Sequence, residues 1–154
     1  MSRYAADTSV SQDKSRNEIE ATLKRYGATS FMFAINPDSA VIGFIIEGRQ
    51  IRFVLPMPDQ NDRAFTHHSQ GERVPSAAKK AWEQAGRQRW RALALIIKAK
   101  LEAVASGIVT LEEEFLAHTV LPDGSTVGQF MKPQLAIAYE RGSMPTTLLL
   151  GGPA

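Results

Sequence analysis

The chain contains no cysteine. Neither a disulfide framework nor a thiolate metal site can therefore form, which fits a reducing cytoplasm. Long apolar runs are missing too: nothing approaches the roughly eighteen apolar residues of a membrane span. The opening residues, MSRYAADTSVSQDKSRNE, lack the apolar centre of a secretory signal. An excess of one charge is also absent. Lys and Arg number 18 against 16 Asp and Glu, a net charge of +2. The placement of charge, not its total, must therefore point to a partner. G-x-S-x-G, P-loop and G-x-G-x-x-G patterns do not occur, so the usual signatures of acyl transfer, phosphoryl transfer and dinucleotide binding are missing. Nothing in the sequence argues for an enzyme, and no cofactor is expected.

What is present suits one globular domain over residues 1–154, since 44% of residues are hydrophobic and 22% charged. Residues 1–13 read as a polar, flexible arm that orders only if something docks it. Ser15 to Glu18 has the form of a capping box, followed by an apolar stripe of Ile19, Leu23 and Tyr26 and a stop at Gly27. Three β-rich runs follow: Phe31–Ile35, Val41–Ile46 and Ile51–Leu55. Asn36-Pro37-Asp38-Ser39 and Glu47-Gly48-Arg49 supply the turns, and such short connections require an antiparallel meander. Ile45 and Phe53 are expected in the core. The middle run is apolar on both faces, so its second side calls for a cover, either the C-terminal helix or another copy.

Residues 56–75 read as a long polar loop. Ser76 is placed as the cap of a helix running to Ala105, which Ser106-Gly107 ends. Thr110 to Glu113 is another capping box, opening a short helix towards His118. Pro122-Asp123-Gly124 makes a turn between weak strands at Thr119–Leu121 and Thr126–Val127. Pro133 suits the first position of a last helix through Tyr139, closed by Gly142. Residues 145–154 are a tail with an apolar Leu148-Leu149-Leu150. The expected class is therefore α+β: a short helix, a three-stranded antiparallel meander, a long basic helix and a small helical and hairpin C-terminal region.

On the long helix, Lys80, Arg87, Arg91 and Lys98 fall within about 20° of one another at 3.6 residues per turn. They form a basic rail about 27 Å long. Trp82, Leu93, Ile96, Ile97, Leu101 and Val104 make the apolar stripe. A rail of this kind matches successive phosphates of a nucleic acid, each neutralised with release of counterions. A solvated basic surface is the plainer account of the same pattern. On the sheet, Arg49 and Arg52 are a second candidate set. Arg89 and Lys100 lie towards the apolar stripe and should each find a carboxylate, for which Glu112, Glu113 and Glu114 are placed, or snorkel to solvent. Trp82 and Trp90 could stack bases, although tryptophans beside a core stripe are more often core. Glu114 and His118, with His67, His68 and Asp123, have ligand chemistry but no HExxH pattern, and no metal site is expected.

Several stretches resemble a family of small uncharacterised proteins of tailed phages and prophages. They are Tyr4 to Val10, Ala81 to Ala85, Arg87 to Leu93, Ile97 to Val104, Glu112 to His118, and Leu121 to Gly124. The resemblance implies a phage source and a host-cytoplasm setting, and it brings no activity. The order of helix, meander and long helix is also similar to double-stranded-RNA-binding domains, with Ser76 to Ala81 like the lysine-rich start of their second helix. Their glycine-rich turn before that helix is missing here. The β-β-β-α order is similar to phage single-strand annealing proteins. The expectation is a non-catalytic nucleic-acid-binding accessory protein, DNA being the favoured partner, that forms a homo-oligomer. The alternative is an effector that binds a host protein or sequesters a nucleotide.

Overall fold

The computed structural model describes residues 4–145. In chain order it forms α1 (Gln12–Arg25), β1 (Thr29–Ile35), β2 (Ser39–Ile46), β3 (Arg49–Pro56) and the one-turn α2 (Arg63–Thr66). A two-residue ladder of β4 (His67–His68) and β5 (Gly71–Glu72) leads into α3 (Pro75–Ala105). Then come α4 (Leu111–Phe115), a 3-10 turn (Leu116–His118) and α5 (Val127–Arg141). This is the α+β fold that the sequence leads one to expect, and no described helix is long and apolar enough to cross a membrane.

The sheet has the order β1-β2-β3, antiparallel throughout. Glu47 and Gly48 both take positive φ, 47° and 73°, the backbone of a two-residue hairpin turn whose twist matches that of the strands. Cross-strand rows alternate between the two faces. Phe33–Ile42–Phe53 and Phe44–Ile51 lie on one face, with Met32–Gly43–Arg52 and Ala34–Val41–Val54 on the other.

Only the first face is packed. Ile19 and Leu23 of α1, and Trp90, Leu93, Ala94, Ile97 and Leu101 of α3, bury against Ile42, Phe44, Ile46, Ile51 and Phe53. Phe115 of α4 completes the core, edge-on to both Phe44 and Phe53. The second face keeps Met32 at 50%, Val54 at 51% and Ile45 at 37% exposed. Ile45 is therefore not a core residue, contrary to expectation: the register puts it in the row with Gln50, on the outer face.

Other expectations need correction. Ser11, not Ser15, caps α1 by accepting from the Lys14 amide. Ser15 sits inside the helix, fully buried, with its hydroxyl unpartnered. Val74, not Ser76, precedes α3, whose first position is Pro75 and whose cap makes no side-chain bond. The last helix begins at Val127, six residues before Pro133, because Thr126 and Gln129 form a reciprocal capping box. Pro133 lies within the helix, where it removes one backbone donor. Residues 56–75 are not a featureless loop, since they hold α2 and the β4–β5 ladder. Of the α3 apolar stripe, Trp82, Ile96 and Val104 fall outside the buried set, which centres on Trp90 and Ile97. Leu148-Leu149-Leu150 lies outside the described residues.

Candidate nucleic-acid interface

The buried residues of α3 fix its orientation, and the basic rail then falls about a quarter-turn from the core centre. That flank is where α1 packs. The neighbour decides what each cation can do. Arg91 is held by Glu18 of α1 in an ion pair that leaves it mostly covered. Arg87 is half-buried, and its Nε donates to Gln84 Oε1 at 3.0 Å. Gln84 in turn donates from Nε2 to the carbonyls of Ala6 and Thr8, both at 2.9 Å. Gln88 Nε2 donates to the Tyr4 carbonyl at 3.1 Å. Residues 4–8 thus lie as a strap across the middle of α3. Lys80 and Lys98, at the two ends of the rail, are exposed.

The sheet candidates are separated from one another as well. Arg49 and Arg52 are three residues apart on β3, so they leave the strand on opposite faces. Arg49 turns towards α4, where Glu112 lies 3.9 Å away. Arg52 extends from the outer face and donates to Gln129 Oε1 at 3.3 Å. The Gln129 oxygen also accepts from the Thr126 amide at 2.9 Å, so Arg52 is tied to the capping box of α5. The six candidates therefore do not form one surface. Four of them, Lys80, Arg87, Lys98 and Arg52, have no carboxylate at ion-pairing distance among the described residues.

Arg52 lines a cleft of about 220 Å³ with Val54, Ala117, His118, Thr126, Gly128, Gln129 and Lys132. Lys132 was not among the residues singled out from sequence. The Thr126-x-x-Gln129 capping box carried the signal, because it puts Lys132 on the second turn of a helix beside Arg52. Gly128 lets that helix approach the 3-10 turn: a Cβ there would stand 2.9 Å from the Ala117 carbonyl oxygen. His118 closes the inner wall, stacked on Phe53 with ring centroids 4.0 Å apart. Burial, and then the nearby Lys100 charge, hold its pKa below the usual histidine value, while its hydrogen bond to the Arg52 carbonyl opposes the shift. The ring is therefore neutral at pH 7.

Lys100 finds the partner expected for it, donating to Glu114 Oε1 at 2.9 Å. Arg89 has no such partner among the described residues and lines a groove with Leu55, Gln88, Ala92, Leu93 and Ile96. Trp90 is 2% exposed, so it cannot stack on a base. Trp82 is half-buried, with its indole N–H donating to the Pro58 carbonyl at 2.7 Å. Glu114, His118, His67, His68 and Asp123 do not converge: among the described residues no three His, Asp or Glu side chains form a metal-sized group. His67 instead faces Thr66 and Glu72 within its own hairpin.

No family model, curated protein or solved structure matches the chain.

Proposed function

We propose that the protein is a non-catalytic nucleic-acid-binding accessory protein that contacts the phosphate backbone, with DNA as its partner. The observation that carries this is the set of cations without carboxylate partners, Lys80, Arg87 and Lys98 along one flank of a 31-residue helix. A cation already paired has little to offer a phosphate, whereas an unpaired one releases a condensed counterion on contact. Arg91, neutralised by Glu18, serves instead to fix α1 against α3. Arg49 is a looser case, since Glu112 lies 3.9 Å away and both side chains are mostly exposed, but it turns towards α4. The resemblance to small tailed-phage proteins supports a phage-encoded role in the host cytoplasm. The test is equilibrium binding of single- and double-stranded DNA and RNA at two salt concentrations. Absence of binding to all four at low salt overturns the reading.

A second reading, a protein-binding effector, is favoured by one observation: the outer sheet face presents Met32, Val54 and Ile45 to solvent in adjoining rows. A second copy of the chain covering that face would give the proposed homo-oligomer, and a host protein would give the effector. Light scattering at micromolar concentration separates the two, because a monomer in solution removes the first.

A further inference from the structure

The cleft beside β3 differs from the α3 flank in being walled. Arg52 enters from the strand, Lys132 from the second turn of α5, and Gly128 from the helix start, where the amide has no intrahelical acceptor. None of the lining residues is acidic. Two positive side chains therefore line one opening that holds no carboxylate, which makes it attractive to an anion. Lys132 is exposed, and Arg52 is anchored by a neutral amide oxygen alone.

Size and shape narrow the anion. At about 220 Å³ the cleft falls below the roughly 300–1,000 Å³ of sites that enclose a whole small ligand, so it suits one charged group and its attachment. Donors approach from two elements, β3 and α5, and not from one plane. A planar carboxylate would satisfy the arginine fork and leave the others unused, while a tetrahedral phosphate has an oxygen for each. Val54 and Ala117 line the same cleft and give the group's carbon attachment an apolar surface.

We propose that the Arg52–Lys132 cleft is a binding site for a single phosphate group. It rests on the nucleic-acid reading only for the source of that phosphate, and its geometry is independent of the α3 flank. Free phosphate and a phosphate of a nucleic-acid strand share the chemistry that the cleft recognises, and the two arms of the test tell them apart.

The experiment is a two-dimensional amide NMR titration of the full chain with inorganic phosphate at constant ionic strength, followed by addition of a short single-stranded DNA. The expected result is a saturable shift of the Gly128 and Gln129 amides. It weakens about tenfold in Lys132→Gln and in Arg52→Gln, as loss of one charge-assisted hydrogen bond predicts, and it is unchanged in Lys14→Gln on α1. Lys132 is exposed, so its variant folds even if Arg52→Gln disturbs the α5 cap. No saturable shift at Gly128, or the same affinity in both cleft variants, overturns the proposal. A phosphate shift that the DNA does not displace supports the cleft and counts against nucleic acid as the source. DNA binding with no phosphate response at Gly128 overturns the cleft and leaves the nucleic-acid reading standing.

Discussion

On the proposed reading, the salt dependence of DNA binding follows from which cations are already occupied. Six basic residues were candidates, and full engagement of all of them on duplex DNA would give a log–log slope of about −5.4, at about 0.9 per phosphate. Pairing removes Arg91, and Arg49 turns towards Glu112 of α4 instead of lying on the α3 flank. Position removes Arg52 as well, because it leaves the outer face of β3 while α3 packs against the inner face. That leaves Lys80, Arg87 and Lys98, at most three contacts for a duplex, because α1 and the strap of residues 4–8 cover part of the flank between them. Three contacts predict a slope near −2.7, so affinity falls about 40-fold between 50 and 200 mM salt. Lys80→Glu together with Lys98→Glu should flatten the slope to about −0.9 and leave the melting temperature nearly unchanged, since both side chains are exposed. Fluorescence anisotropy with a labelled duplex over that salt range reads both numbers. A slope steeper than −5, or one that ignores the double reversal, refutes the assignment of the paired arginines to structure.

Three further outcomes test the packing. Lys100 and Glu114 are each about three-quarters covered, so Lys100→Ala, which strands the carboxylate, should destabilise by about 1–3 kcal/mol in urea unfolding, while Lys100→Met with Glu114→Leu recovers most of that. Ser15→Ala should be neutral or stabilising by up to about 1 kcal/mol, because the hydroxyl is buried without a partner and alanine favours the helix; a clear loss of stability would mean that the hydroxyl is bonded. His118 titrates in the folded chain below its ordinary value near 6.5, so its neutral form is the stabilising one. That contribution is complete above pH 6.5 and is lost as pH falls through the folded pKa. His118→Gln should flatten stability against pH over that window, and an unchanged profile would refute the burial argument.

The meander was legible because its turns are local chemistry: Asn36-Pro37-Asp38-Ser39 and Glu47-Gly48 reverse the chain whatever surrounds them. Helix starts were less so. Ser11 and Ser15 are equally good caps by type, and the choice between them was made by packing, since Ser15 is fully buried. At α5 the proline at position 133 hid the stronger signal, the Thr126–Gln129 box that begins seven residues upstream. The basic rail was correct as a set of angles. A helical wheel reports which side chains share a flank and says nothing about what covers that flank. Glu18 and residues 4–8 reach it from distant parts of the chain, and no periodicity within α3 announces them. Lys100 was easier because its cost as a lone charge near the core demanded a carboxylate, and the acidic start of α4 offered one.

The strap across α3 has an uneven division of labour with a consequence for how the sequence can change. Every bond that Gln84 and Gln88 make to residues 4–8 runs from a glutamine side chain to a main-chain carbonyl. The side chains of Tyr4, Ala6 and Thr8 contribute nothing to those bonds, although the Thr8 hydroxyl separately accepts from the Val10 amide at 3.2 Å. Position 5 is constrained by its backbone: Ala5 holds φ at 60°, a setting that glycine or asparagine tolerates better than a branched residue. The instructions for placing the N-terminal segment are therefore written some eighty residues away from it. Most substitutions in the segment would leave its path unchanged, while a change at Gln84 would remove two of its three side-chain ties to α3 at once.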